Sequence, residues 1–404
     1  MRKTKITIAL ITLLIAGTAL QLVAQDKYAK SFSISRHNFV DTIKIEIWKG
    51  AIIIPAEING STKKLLFDTG AEKGFWVADM EEWMTPIDSI TIVDSNKERQ
   101  KIPLYQFPPI KIGSTTIENY TMVISESFKN YVCGKIDGAL GFNLVAKGLS
   151  IKFDTKDSLM IVTDRKGFFA KEEKKHTVLK YYKDTRPDVL IQFPYGKYRM
   201  TFDSGYIGGW VDLPQYWLDK WSSNNPKMKE AIDKTTVRVD TTIKSQAGLL
   251  GKTQDTIVAR TLHIPGFGVG DAKFEDFWLS TGNRSMLIGS CVLKHASLII
   301  NAQKQHLVFL PHNENSGVVI GNEDFDDFRL FPTDGDSIGA LKVIVREGSK
   351  EYQKGIRTGD YLISADGVPI TDYCTYSLLK QKGKIKKMVF RTPEGEDKEV
   401  EWDE

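Results

Sequence analysis

Leu65-Leu66-Phe67-Asp68-Thr69-Gly70-Ala71 is an apolar, strand-like run that stops on an aspartate, and Tyr198-Arg199-Met200-Thr201-Phe202-Asp203-Ser204-Gly205 repeats its pattern later in the chain. An Asx turn closing a hairpin would account for either copy alone. Two copies of apolar-Asp-Ser/Thr-Gly ask for a common cause. A carboxyl at the end of a buried strand, with a hydroxyl and a Gly turn beside it, can face a partner carboxyl across a cleft.

The surroundings of the two aspartates match as well. Ala51 to Ile58, Asn59-Gly60 and Lys64 to Phe67 read as a hairpin with a type I′ turn, and Val189 to Phe193, Tyr195-Gly196 and Lys197 to Phe202 read the same way. Downstream, Ile112-Gly113 with the strand to Tyr120 is answered by Val269-Gly270 with the strand to Phe277. Gly138-Ala139-Leu140-Gly141 is answered by Met286-Leu287-Ile288-Gly289, and Leu159 to Val162 by Leu307 to Leu310. Landmarks recurring in one order indicate an internal duplication. The aspartates stand 203 − 68 = 135 residues apart, the size of a small β domain. Aspartate to strand-leading glycine spans 113 − 68 = 45 residues in the first unit and 270 − 203 = 67 in the second. The extra length falls between Trp210 and Asp255, where helices are expected over Gln215 to Trp221 and Pro226 to Asp233, as surface structure. From about Gly317 the texture changes: strand Leu341 to Val345, a short helix between Gly348 and Ile356, and two strands around Asp366-Gly367 predict a third unit.

The chain has 404 residues, of which 41% are hydrophobic and 10% aromatic, enough for two or three folded domains. Arg2, Lys3 and Lys5 precede the apolar run Ile6 to Leu14, and small residues lead to a cut after Ala24: a signal peptide over 1–24, with an uncleaved anchor as the alternative. Its removal leaves 52 Lys+Arg against 51 Asp+Glu, a net charge of +1. That balance, with no basic stripe interleaved with aromatics, argues against a nucleic-acid partner. Lys171-Glu172-Glu173-Lys174-Lys175 reads as a solvated linker. The three cysteines, Cys133, Cys291 and Cys374, are too few for a disulfide framework; one bridge can form, but buried free thiols are the blander expectation. No HExxH or CxxC is present, so neither a metal nor a cofactor is expected. The absence of Gly-Asn-Ser-Gly-Gly argues against a serine nucleophile of that kind.

Apolar-Asp-Thr/Ser-Gly followed by apolar-apolar-Gly resembles the aspartic proteases. Two copies look like the bilobal, pepsin-like arrangement, and Asp68-Thr69-Gly70-Ala71 is also similar to the single-lobe, retropepsin-like form. The resemblance spans about residues 40 to 312. It implies a mainly β fold of two duplicated β-barrel lobes, residues 25–170 and 171–313, after the signal peptide. Residues 314–404 are similar to a PDZ domain through Glu347-Gly348-Ser349, Lys354-Gly355-Ile356, Gly359-Asp360 and Asp366-Gly367. Such domains bind extended peptides or chain ends, and Ser316-Gly317-Val318-Val319-Ile320 is the candidate carboxylate loop.

The resemblance implies an exported aspartic endopeptidase, periplasmic or secreted and membrane-associated if the leader is retained. Asp68 and Asp203 would be the catalytic dyad, and Thr69, Gly70, Ser204 and Gly205 would support its loops, with Gly138 to Gly141 and Met286 to Gly289 beside them. The expected partners are a polypeptide substrate and a peptide or chain end at the PDZ domain, with the protein a monomer. Ala71 fits the family's pattern. Tyr206, where the family has a small residue, is the departure that motivates the alternative of an inactive exported peptide-binding protein. The hairpin between Ile90 and Phe107 is the candidate flap, with Tyr105 its tyrosine, although a core or surface role suits that tyrosine better.

Overall fold

The structure is a computed structural model that describes residues 28–401 apart from 183–184, 283–285, 314–317, 322–327 and 334–336. The leader expected over 1–24 lies outside the described residues. The protein is mainly β.

Strand Ala51–Ile58 turns into strand Ser61–Asp68 through Asn59 (φ 48°) and Gly60 (φ 74°), the left-handed pair that a two-residue hairpin needs. The second hairpin, Asp188–Phe193 with Gly196–Phe202, places Phe193 opposite Gly196, so its turn is Pro194-Tyr195, one residue earlier than the sequence suggested. Both hairpins deliver an aspartate from a strand whose last apolar residues, Leu65 to Phe67 and Met200 to Phe202, are buried on both faces.

Each delivering strand has a parallel neighbour from the later glycine motif. Gly138–Gly141 runs beside Ser61–Asp68 with Gly141 opposite Asp68, and Leu287–Ile288 beside Gly196–Phe202 with Ile288 opposite Phe202. The same neighbours pair antiparallel with Gly74–Trp76 and Val211–Asp212, the strands that follow each aspartate. The duplication read from landmarks is therefore a duplication of strand topology. A six-stranded sheet ties the halves together where Ser150–Asp154 pairs with Ala296–Asn301. Phe67 meets Phe153 at 5.0 Å and Phe202 meets Phe309 at 5.1 Å, so each dyad strand is wedged against this shared sheet by the same ring pair.

The expected helices appear as Gln215–Asn224 and Pro226–Thr235, the second capped by the Asn225 side chain with Pro226 in its first turn. The extra length is more than surface structure, however. A long hairpin, Thr236–Gly248 with Gly251–Val269, follows the helices, and its tip touches the first half. The C-terminal unit is a sheet of Phe328–Pro332, Leu341–Val345, Tyr361–Ala365, Val368–Pro369, Lys387–Arg391 and Asp397–Glu401, with helices Lys350–Gln353 and Tyr373–Lys382. It has its own core around Leu341, Val343, Leu362 and Phe390.

Three expectations are corrected. Val318–Gly321 is a strand parallel to Ala272–Ser280 in the second half's sheet, not a carboxylate loop of the C-terminal unit; Ser316 and Gly317 lie outside the described residues. Cys133 and Cys374 are disulfide-bonded, because the C-terminal unit folds back on the first half, and Cys291 is buried outside any disulfide. The charged run at 171–175 lies in helix Ala170–Lys175, and its Glu173 side chain is 6% exposed. Glu173 accepts from Asn301 Nδ2 at 2.7 Å and Lys304 Nζ at 2.6 Å, with His306 Nδ1 at 3.2 Å.

Burial alone would raise the Glu173 pKa, but Lys304, His306 and Asn301 together hold it below the ordinary glutamate value. A depressed folded-state pKa contributes stability that is present above the unfolded value and lost as pH falls through the folded one. Glu173→Gln is therefore expected to cost about 1–3 kcal/mol at neutral pH. In denaturant titrations the difference from wild type should shrink as pH drops below about 4.

Candidate active site

The two Asp-Ser/Thr-Gly loops meet back to back. Thr69 Oγ1 donates to the carbonyl of Phe202 at 2.7 Å and accepts from Ser204 N–H at 2.9 Å. In return, Ser204 Oγ donates to the carbonyl of Phe67 at 2.6 Å and accepts from Thr69 N–H at 3.0 Å. Both side chains are buried, so the four bonds form in a low dielectric, where each counts for more than in water. A hydroxyl is needed at both positions because each must donate and accept at once.

This exchange sets the aspartates. Asp68 Oδ1 accepts from Gly70 N–H at 2.8 Å and Ala71 N–H at 3.0 Å. Asp203 Oδ1 accepts from Gly205 N–H at 2.9 Å and Tyr206 N–H at 3.1 Å. The two carboxyls face one another, each lying against the glycine of the opposite loop. A Cβ on Gly70 would stand 2.4 Å from the Asp203 carboxyl carbon, and one on Gly205 2.3 Å from that of Asp68. Glycine is present because the opposite carboxyl fills the space a side chain would take.

Burial drives both pKa values up. For Asp68 the negative charge of Asp203 adds to burial and carries its pKa well above the ordinary range, against the two backbone donors. For Asp203 burial outweighs the donors at Gly205 and Tyr206 and the nearby charge of Arg186. The result is a pair that releases its protons less readily than isolated aspartates do.

The predicted neighbours fall into place beneath the loops. Asp203 N–H donates to the Ile288 carbonyl at 2.8 Å, and Phe142 N–H to the Ala71 carbonyl at 2.8 Å. Gly141 and Gly289 leave no room for a side chain, the nearest backbone atoms being 2.6 Å and 2.3 Å from a Cβ built there. Tyr206 does not crowd the dyad: its ring lies on Gly209, whose Cβ would sit 2.3 Å from the ring's Cζ, and beside Gly289. Tyr105, in strand Arg99–Gln106, packs against the main core, so the hairpin Thr85–Val93 with Arg99–Gln106 forms without its tyrosine turned outward.

Two groups escaped the sequence reading. Ser290, fully buried, donates to the Lys49 carbonyl at 3.0 Å and accepts from Gly208 N–H at 2.9 Å, tying the loop after Asp203 to the first half. Its place directly after Gly289 was the available signal. Ser125, Ser127, Asp94 and Asn96 bind the tip of the long hairpin, and nothing local in the sequence marks them for it.

Two measurements follow from this geometry. Ser204→Ala orphans the buried Phe67 carbonyl and Thr69 N–H, and should cost about 1–3 kcal/mol for each group left without a partner, read by chemical denaturation. Asp68→Asn keeps the acceptor for Gly70 and Ala71 but removes the buried charge. Since the folded pKa is raised, the wild type loses stability as pH climbs above the ordinary aspartate value of about 3.9. The variant should therefore be more stable than wild type at pH 7, with the gap closing at about pH 3. Compared with known proteins, the chain matches no family model and no curated protein.

Proposed function

We propose that this protein is an exported aspartic endopeptidase of bilobal, pepsin-like architecture with a C-terminal PDZ domain. The observation that carries the reading is the close approach of the half-buried Asp68 and Asp203 carboxyls, each against the glycine of the opposite loop, with the loops held by reciprocal bonds. A turn-forming aspartate would need neither burial nor a carboxyl partner.

In this reading the ionised carboxylate takes a proton from a water bound between the two. The resulting hydroxide attacks the peptide carbonyl carbon, and the protonated carboxyl donates to the carbonyl oxygen. The first carboxyl then gives its proton to the leaving nitrogen while the second takes one back from a hydroxyl of the gem-diol, so the C–N bond breaks, the carbonyl re-forms and the pair again holds one proton. One carboxyl must be charged and the other neutral, so the activity follows a bell-shaped pH profile, and the raised pKa values push its upper limb above the ordinary aspartate range. Thr69 and Ser204 orient the dyad from behind, and neither touches substrate.

For the C-terminal unit, the PDZ reading is supported by edge strand Phe328–Pro332, which pairs on one side with Leu341–Val345 and has helix Tyr373–Lys382 nearby. An extended peptide adding a strand to that edge would lie against the helix. The inactive, peptide-binding alternative rests on Tyr206, and the seat of that ring on Gly209 supports the endopeptidase reading over it. Export rests on the leader sequence alone.

Incubation of a denatured protein with wild type, Asp68→Ala and Asp203→Ala tests the reading. Either substitution should lower the cleavage rate by about 10³-fold or more. Equal cleavage by all three would refute it.

A further inference from the structure

The long hairpin of the second half ends in Gly248-Leu249-Leu250-Gly251, and this tip is bonded to the first half. Ser125 Oγ donates to the Leu249 carbonyl at 2.7 Å, and Ser127 Oγ reaches the Gly248 and Leu249 carbonyls at 3.1 Å each. From the turn of the Thr85–Val93 hairpin, Asp94 Oδ2 accepts from Leu250 N–H at 3.2 Å, and Asn96 Nδ2 donates to the Gly251 carbonyl at 2.8 Å. Gly248 sits so close that a Cβ there would stand 2.1 Å from Asp94 Oδ2. Leu249 and Leu250 pack on the apolar cluster that also takes in Ala71 and Ile207, residues just beyond the two dyad loops.

Ser125 and Ser127 stand at the start of helix Glu126–Val132. The other end of that helix is Cys133, bonded to Cys374 in helix Tyr373–Lys382, with the Tyr131 and Tyr373 rings 6.1 Å apart. Seven residues of helix are about 10 Å long and move as one piece. The hairpin tip and the C-terminal unit are thus fastened to opposite ends of the same short rigid body.

We propose that the hairpin tip is a latch across the cleft, seated by Ser125, Ser127, Asp94 and Asn96, and that the C-terminal unit sets the firmness of the latch through Cys133–Cys374 and the Glu126–Val132 helix. The consequence for turnover rests on the endopeptidase reading; the latch itself does not. The polar contacts are few and individually modest, so the tip is held by an amount that an incoming polypeptide, or a ligand on the C-terminal unit, can overcome. Because Leu249 and Leu250 share an apolar cluster with Ala71 and Ile207, an extended chain at the dyad competes with the seated tip, and a looser latch lowers the share of its binding energy spent on opening.

Hydrogen exchange on the full-length protein tests this without reference to activity, since Leu250 N–H reports its bond to Asp94. Ser125→Ala/Ser127→Ala and Cys133→Ser/Cys374→Ser should each speed exchange of the segment 248–252 at least tenfold, with the buried strand Ala296–Asn301 unchanged. Each should also raise kcat/KM on a denatured protein severalfold, while Asp68→Ala leaves the exchange as in wild type. Unchanged exchange in the serine variant overturns the latch. Loosening in the serine variant but not in the cysteine variant overturns control by the C-terminal unit. If the cysteine variant loses protection at Ala296–Asn301 too, the disulfide serves global stability alone, and that control is again refuted. Lack of proteolysis in every variant, with exchange as expected, would count against the endopeptidase reading and not against the latch.

Discussion

Four hydrogen bonds between Thr69 and Ser204 and the opposing loops hold together everything that gives this protein a site. Each hydroxyl donates to a carbonyl of the other half and accepts an N–H from it, so neither loop is complete alone. Because both residues are buried, water offers no substitute for a lost partner, and the two halves are held in one register. The Phe67–Phe153 and Phe202–Phe309 pairs hold the strands behind the loops, so loop geometry and sheet geometry support each other.

That arrangement places two carboxyls where electrostatics opposes them. Desolvation raises both pKa values, the charge of Asp203 raises that of Asp68 further, and the backbone donors at residues 70, 71, 205 and 206 offset only part of the cost. Residues 70 and 205 have no side chain because the opposing carboxyl occupies that volume. An aspartate that merely closed a turn would not carry that cost.

Helix Glu126–Val132 has a comparable role at longer range. A disulfide at its C-terminal end and two serines at its N-terminal end join the C-terminal unit and the second half's hairpin to the first half. The three parts of the chain meet at this helix, whereas only the two halves meet at the aspartate loops.

Much of this was legible in the residues themselves. The Asn59-Gly60 turn, the strands ending in Asp68 and Asp203, the glycine motifs beside them and the helices at 215 and 226 are local patterns, governed by backbone preference and burial period, and they recur because the topology recurs. The Pro194-Tyr195 turn was misplaced by one residue, since its flanking Gly196 looks like a turn residue and serves as the first of the strand. Glu173 looked like one charge in a solvated run, because its partners Asn301, Lys304 and His306 stand more than 120 residues away. The pairing of Cys133 with Cys374 spans 241 residues, and the seat of the hairpin tip on Ser125 and Ser127 spans more than 120. By itself, then, the sequence determined the duplicated loops and the residues they carry, through short-range sterics and hydrogen bonding. Only the tertiary structure decided which atoms those loops would face, which way the Tyr206 ring would turn and what the C-terminal unit would hold, because contacts between distant segments leave no local pattern to read.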